Sequence, residues 1–133
     1  MSINEHQSTI EEVTGAPNAP DVCGDTARAE MIMERAMCLL GDKWTLMIVY
    51  NLRHGKRRFG ELLEVLGNIS PKTLSQRLKQ LEEIRLVERR AYAEIPPRVE
   101  YLLTDRGLML TNILKAIQEF GENCLSDIPN LSL

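Results

Sequence analysis

Polar side chains recur at helical spacing between residues 70 and 83 of this 133-residue chain. If the leucines of this segment form the buried face of a helix, a rotation of about 100° per residue turns the polar side chains outward. The leucines are Leu74, Leu78 and Leu81, and the outward side chains include Lys72, Gln76 and Lys79. A glutamine amide can pair with adenine, and a lysine ammonium can donate to the edge of guanine. The segment therefore predicts hydrogen bonding to base edges in the major groove of DNA. The candidate residues are Ser70, Lys72, Thr73, Ser75, Gln76, Arg77 and Lys79.

The start of this segment carries two strong signals for a helix N-terminus. Ser70 is a favourable N-cap residue, and Pro71 suits the first helical position. Backbone N–H groups at such a terminus can bind a phosphate. The alternative is that the polar residues are only the solvated face of an amphipathic helix. The residues downstream favour DNA binding over that alternative.

A short basic hairpin is predicted directly after this helix. Two strands, at about 86–92 and 98–103, flank Pro96 and Pro97, which stiffen the turn. Basic side chains on a rigid hairpin can bind the sugar-phosphate backbone or enter the minor groove. The candidates here and before the third helix are Arg57, Arg58, Arg89, Arg90 and Arg98. For each arginine, the alternative is an ion pair with Glu88, Glu94 or Glu100.

The net charge of −3 conceals a strong asymmetry along the chain. Residues 1–34 hold seven acidic side chains and one basic side chain, whereas residues 53–98 hold eleven basic and six acidic side chains. Nucleic-acid affinity depends on local basic surface rather than on overall charge. The central segment is therefore compatible with a DNA partner, although a solvated surface of mixed charge is the alternative.

The cysteines and histidines do not suggest a catalytic or metal site. The three cysteines, Cys23, Cys38 and Cys124, are widely spaced, so they form neither a disulfide framework nor a zinc pattern. The two histidines have no paired nucleophile or carboxylate cluster in the sequence, and no glycine-rich phosphate loop is present. We therefore expect no enzyme activity, no metal and no cofactor.

The elements predicted around these residues follow the order helix, helix, short strand, helix, helix, strand, strand, helix. The first helix begins near Glu30 and stops at Gly41, and Asp42 caps the second. Val99, Tyr101 and Leu103 alternate as in a half-buried strand. One long last helix extends from a Thr104 cap to about Leu125. The pattern predicts a mainly α fold with a small β-hairpin wing, the winged helix-turn-helix, ending in a long dimerisation helix.

The chain has the length of one domain. Residues 1–28 read as a flexible acidic arm, 29–126 as the DNA-binding and dimerisation domain, and 127–133 as a tail. No apolar run approaches the roughly 20 residues needed to span a bilayer, and the N-terminus is not of the secretory type. We expect a cytoplasmic protein without a membrane partner.

Several collinear motifs resemble the HxlR family of bacterial winged-helix regulators over residues 30–125. The motifs are Met33-Glu34-Arg35-Ala36, Leu40-Gly41-Asp42-Lys43-Trp44-Thr45, Arg58-Phe59-Gly60-Glu61-Leu62, Ile69 to Leu78, Leu86-Val87-Glu88-Arg89 and Pro96 to Thr104. The resemblance implies a homodimer, formed largely by the first and last helices, on a palindromic operator in double-stranded DNA. The apolar residues expected at the dimer interface are Met33, Met37, Leu110, Ile113, Leu114, Ile117 and Phe120.

The chain departs from this family at a cysteine. Many members carry Cys-Pro where this chain has Met31-Ile32, and in several that cysteine senses oxidants or electrophiles. We expect Cys38 and Cys124 to be buried as small apolar residues, and Cys23 to be exposed. An alternative is a regulator responsive to redox state or to a small-molecule effector, using one of the three cysteines. A winged-helix protein-interaction module is a further alternative, against which the basic segment argues.

Overall fold

The computed structural model describes residues 22–130, with side chains from residue 24 onward. Two compact units divide at the Gly41–Asp42 bond. In the first unit, helix α1 extends from Val22 to Leu40. It begins eight residues before Glu30, so the prediction that the first helix begins near Glu30 is wrong. Asp25 in the first turn and good helix formers such as Ala27 and Ala29 account for the earlier start. The rest of the predicted arm lies outside the described residues.

Helix α1 ends where the glycine signal predicted. The Gly41 N–H donates to the Met37 carbonyl at 2.7 Å, and a Cβ on Gly41 would lie 2.8 Å from that oxygen. The helix carries large apolar side chains that are more than half exposed within the chain. They are Met31, Ile32, Met33 and Met37.

The second unit contains the remaining helices and strands. They are α2 (Lys43–Leu52), β1 (Arg57–Arg58), α3 (Phe59–Leu66), α4 (Pro71–Glu83), β2 (Val87–Tyr92), β3 (Arg98–Leu103), α5 (Asp105–Leu108) and α6 (Leu110–Cys124). This order is the winged helix-turn-helix, as predicted, with one additional break in the last helix. Side chains from α2, α3, α4 and the hairpin form the core. Its apolar members are Ile48, Val49, Leu52, Leu62, Leu66, Ile69, Leu74, Leu78, Leu81, Leu86, Val87 and Leu103.

Helix α4 begins as its sequence signals predicted. The Ser70 hydroxyl accepts a hydrogen bond from the Thr73 N–H at 3.1 Å, and Pro71 occupies the first helical position. The helix ends at a turn in which Arg85 adopts a positive φ of 63° and the Leu86 N–H donates to the Leu81 carbonyl at 2.9 Å. This turn leads the chain from α4 directly into β2.

The three strands form an antiparallel sheet in the order β1-β3-β2. Arg58 of β1 and Arg90 of β2 both face Glu100 of the central strand β3.

The predicted alternation along β3 is only partly right. Leu103 is buried, whereas Val99 and Tyr101 are half-buried and Glu100 between them is only 6% exposed. A charged residue can occupy this position because two basic side chains approach it, as described below.

The predicted last helix is divided at Met109. The Thr104 hydroxyl accepts from the Gly107 N–H at 3.1 Å and donates to the Arg85 carbonyl at 2.6 Å, which fixes the start of α5. The Met109 N–H then donates to the Arg106 carbonyl, an i to i−3 bond that tightens the turn before α6. Gly107 itself packs against the Leu86 carbonyl. The tertiary contact therefore shapes this junction, and the apolar periodicity did not reveal it.

Within residues 22–130, no helix has the length and apolar character required to cross a bilayer.

Candidate nucleic-acid interface

Helix α4 presents a polar face to solvent. Lys72, Ser75, Gln76 and Lys79 are exposed, while Leu74, Leu78 and Leu81 are buried on the opposite face. Within the described part of the chain, none of these four exposed side chains has an ion pair or a hydrogen bond. The structure therefore leaves their donors and acceptors available to another molecule.

The N-terminus of α4 offers fewer backbone donors than the sequence suggested. Pro71 has no N–H, and the Thr73 N–H is already bonded to the Ser70 hydroxyl. The Leu74 N–H donates to the Ser70 carbonyl within the helix. The Lys72 N–H is left for a phosphate at this terminus, next to the exposed Lys72 side chain.

Arg77 lies on the flank of α4 and has a partner inside the protein. Its Nε donates to the Asp42 carboxylate at the N-cap of α2. The Thr45 hydroxyl, almost fully buried, donates to the same carboxylate oxygen at 3.2 Å. Burial of Asp42 acts to raise its pKa, but the hydrogen bond and charge of Arg77, together with smaller hydrogen-bond contributions that include Thr45, hold the pKa of Asp42 below its ordinary value. Asp42 thus occupies the predicted N-cap position of α2, but its side chain forms no capping hydrogen bond there and is bonded to Thr45 and Arg77 instead.

The two arginines that precede α3 have different environments. Arg57 is half-buried, and its Nε donates to the Asn51 carbonyl at 2.9 Å, which joins β1 to the end of α2. Arg58 is exposed at the N-cap of α3, where its backbone N–H donates to Glu61 at 3.0 Å. Arg58 is the better placed of the two for an external phosphate.

Strand β2 carries two exposed arginines. The Arg89 side chain has no ion pair or hydrogen bond to any residue in the described range, whereas Arg90 pairs with Glu88 at 3.3 Å. An exposed pair of this kind contributes little to stability, so a phosphate could replace Glu88 at small cost.

Arg98 at the start of β3 is held by several groups of the hairpin. Its guanidinium lies 3.2 Å from both Glu94 and Glu100 and packs over the Tyr92 ring at 4.2 Å. Lys56 approaches the other Glu100 oxygen at 3.2 Å. The Arg98 Nε and Glu100 Oε2 atoms lie at ion-pair distance from their partners, but neither forms an aligned hydrogen bond. The ion pairs considered for Arg90 and Arg98 are therefore present, and Lys56 is a participant that the sequence did not single out.

The cysteines do not follow the sequence expectation. Cys38 and Cys124 are free thiols and both are exposed, so the prediction that they are buried is wrong for the single chain. Cys124 continues the apolar spacing of its helix, which periodicity alone assigns to a core. The side chain of Cys23 lies outside the described residues.

Helix α6 has an apolar stripe that residues 22–130 do not cover. Leu110 and Leu114 are half-buried, but Ile113, Ile117 and Phe120 are exposed, the last two at 47% and 58%. An apolar cleft of about 460 Å³ lies between α2 and α6 in the same unit, with Leu46 and Met47 on one side and Leu114 and Ile117 on the other. A continuous exposed apolar surface of this kind is typical of a protein interface.

Comparisons with known proteins agree with this architecture. Residues 39–129 match the family model described as HxlR-like helix-turn-helix. A helix-turn-helix-type transcriptional regulator of Synechocystis is 41% identical over 105 residues, covering 79% of this chain and 77% of that protein.

Two solved structures extend the agreement to the fold. One is a protein named as a MarR-family transcriptional regulator from Porphyromonas gingivalis, with a TM-score of 0.67 and 36% identity over 70% of this chain and 91% of that one. The other is the redox regulator HypR in its oxidised form, with a TM-score of 0.64 and 34% identity over 68% of this chain and 93% of that one. These relatives are transcriptional regulators and not enzymes, which agrees with the absence of catalytic motifs noted in the sequence. On the family match, the identities and the winged fold together, the chain belongs to the HxlR-like helix-turn-helix family of transcriptional regulators.

Proposed function

We propose that this protein is a cytoplasmic, homodimeric regulator that binds a palindromic operator in double-stranded DNA. The observation that carries the proposal is the face of α4 with Lys72, Gln76 and Lys79, which is exposed and has no partner within the described residues. A recognition helix needs such a face, with its first residues directed at base edges.

The basic side chains fall into two groups, those bonded within the protein and those available to DNA. Arg57, Arg77 and Arg98 have partners within the protein, so we assign them to the architecture of the motif. The cations available to DNA are Lys72, Lys79, Arg58, Arg89 and, by exchange with Glu88, Arg90. If most of them neutralise phosphates, the logarithm of the binding constant falls steeply with the logarithm of salt concentration, by about 0.9 for each phosphate contacted.

The uncovered stripe of α6 supports the dimer. Burying Ile113, Ile117 and Phe120 against a second copy removes exposed apolar surface from water, which is the main driving force for association. The exposed Met33 and Met37 of α1 provide a second apolar face for the same assembly. A two-fold dimer presents two copies of α4 to the two half-sites of a palindrome.

Replacing Gln76 or Lys72 by alanine tests the assignment of base contacts. Each change is expected to lower discrimination between operator and random duplex by about 1–3 kcal/mol, since a base contact carries sequence information that a phosphate contact does not. The measurement is the ratio of dissociation constants for the two duplexes at one fixed salt concentration.

The matched control is Gln80→Ala on the same helix, one turn farther from its N-terminus. Gln80 is exposed, and its loss is expected to leave the ratio of dissociation constants unchanged. If Gln76→Ala and Lys72→Ala weaken binding equally on all sequences, these residues contact only phosphate and the assignment is wrong.

A redox-responsive form of the same function is favoured by the exposure of Cys38 and Cys124. The relative HypR is described as a redox regulator, and its oxidised form has the same fold. Operator affinity measured with and without oxidant distinguishes the two forms. The control is a variant with all three cysteines replaced by serine, whose affinity should not depend on oxidant. If the affinity of the wild type is also the same with and without oxidant, the protein has no redox response.

A further inference from the structure

The contact between Arg77 and Asp42 joins the proposed recognition helix to the N-terminus of α2. Arg77 Nε donates to the Asp42 carboxylate, and both side chains are about one-third exposed. The Thr45 hydroxyl donates to the same oxygen, and Thr45 is 2% exposed. One carboxylate therefore connects a residue fixed in the core to the middle of α4.

Arg77 lies on the flank of α4, where its bond to Asp42 opposes rotation of the helix about its own axis. Leu74 and Leu78 determine which face of α4 is buried, but the hydrophobic effect that buries them is not directional and does not by itself set the rotation angle of the helix. A charge-assisted hydrogen bond on the flank is directional. Gln76 precedes Arg77 directly, so a rotation about the helix axis that breaks the bond also displaces the Gln76 amide.

We propose that Asp42 is a positioning residue for operator recognition, which acts through Arg77 to set the rotation of α4 against the rest of the domain. The inference rests on the proposed function, since it assigns base discrimination to the outward face of α4. It reverses the interpretation of Arg77 from a DNA-contacting side chain to an internal anchor. Asp42 does not touch DNA in this account.

The competing interpretation is that Arg77 leaves Asp42 and binds a phosphate in the complex. The two predict different consequences of losing Asp42. An anchor requires both partners, so removal of either one has the same effect. A phosphate ligand is released by removal of Asp42, so binding to every DNA sequence is retained or strengthened.

The test is a double-mutant cycle with Asp42→Asn, Arg77→Gln and the combined variant. The binding probes are the duplex selected by the wild type from a random pool and a random duplex of the same length. We expect each single variant to lose about tenfold in the ratio of the two dissociation constants, and the combined variant to lose no more than either single one. The dependence of affinity on salt is expected to match that of the wild type, because no phosphate contact is removed.

Arg77→Lys separates anchoring from phosphate binding even if a neutral variant folds poorly. Lysine retains the charge that a phosphate needs but lacks the planar guanidinium that donates to Asp42. We expect Arg77→Lys to lose discrimination with an unchanged salt dependence. Circular dichroism at the assay temperature verifies that each variant is folded.

Two results would overturn the inference. One is a drop of about one unit in the salt slope for Arg77→Gln with none for Asp42→Asn, which assigns Arg77 to phosphate. The other is full discrimination in Asp42→Asn. A wild-type protein with no preference for any duplex would instead refute the proposed function.

Discussion

Gly107→Ala is expected to lower the free energy of unfolding by about 3 kcal/mol, because the added methyl group has no space. A Cβ at this position would lie 2.0 Å from the Leu86 carbonyl oxygen and 3.2 Å from a Leu103 methyl carbon. The Leu86 backbone cannot easily withdraw. Its N–H donates to the Leu81 carbonyl, and its carbonyl accepts from the Thr104 N–H at 3.1 Å. The whole junction of α4, β2 and α5 has to shift to admit one methyl group.

The matched control is Gly60→Ala in α3. A Cβ at Gly60 would have no atom within 4 Å, and the position is helical, so the change is expected to be neutral or slightly stabilising. Urea denaturation of both variants measures the difference. A Gly107→Ala protein within about 0.5 kcal/mol of wild type would show that α5 does not pack on Leu86 as described.

Ile117→Asp is expected to dissociate the proposed dimer. The two-fold axis places two carboxylates in the apolar interface, where an unpaired charge costs several kcal/mol. We expect the dissociation constant of the dimer to rise at least about 100-fold, since each 1.4 kcal/mol is a factor of ten. Sedimentation equilibrium then gives the monomer mass of 15.1 kDa, and operator affinity falls because the two half-sites are no longer bound together.

Asn112→Asp is the control for the charge itself. Asn112 is exposed on another side of α6 from Ile117, near the helix N-terminus where an acidic side chain is favourable. This variant is expected to sediment as the wild type does. If Ile117→Asp also retains the dimer mass, α6 does not form the interface.

Local signals were sufficient to predict the central part of the fold. Ser70 and Pro71 identified the start of α4 because an N-cap and an N1 proline act within one turn of the chain. The burial of Leu74, Leu78 and Leu81 followed from spacing alone. The bounds of β2 and β3 agree with the predicted strands to within one residue at each end, since the two prolines interrupt the pairing between them.

The predictions that failed depend on contacts between residues far apart in the chain. Arg77 meets Asp42 across 35 positions, and no spacing rule relates them. Glu100 lies in a strand that otherwise reads as alternating, and its burial depends on Lys56 from a distant segment as well as on Arg98 of its own strand. The exposure of Cys38 and Cys124 was missed because helical periodicity does not reveal whether other residues of the chain cover a position.

Selection of bound duplexes from a random DNA pool is the decisive test of operator binding through α4. We expect enrichment of a palindrome with two half-sites about one helical turn apart or a multiple of it, bound with an affinity that falls steeply with salt. Enrichment should be lost when Gln76→Ala and Lys72→Ala are combined. A pool that stays random after repeated selection by the folded wild-type protein, at low salt, would contradict the assignment of α4 as a recognition helix.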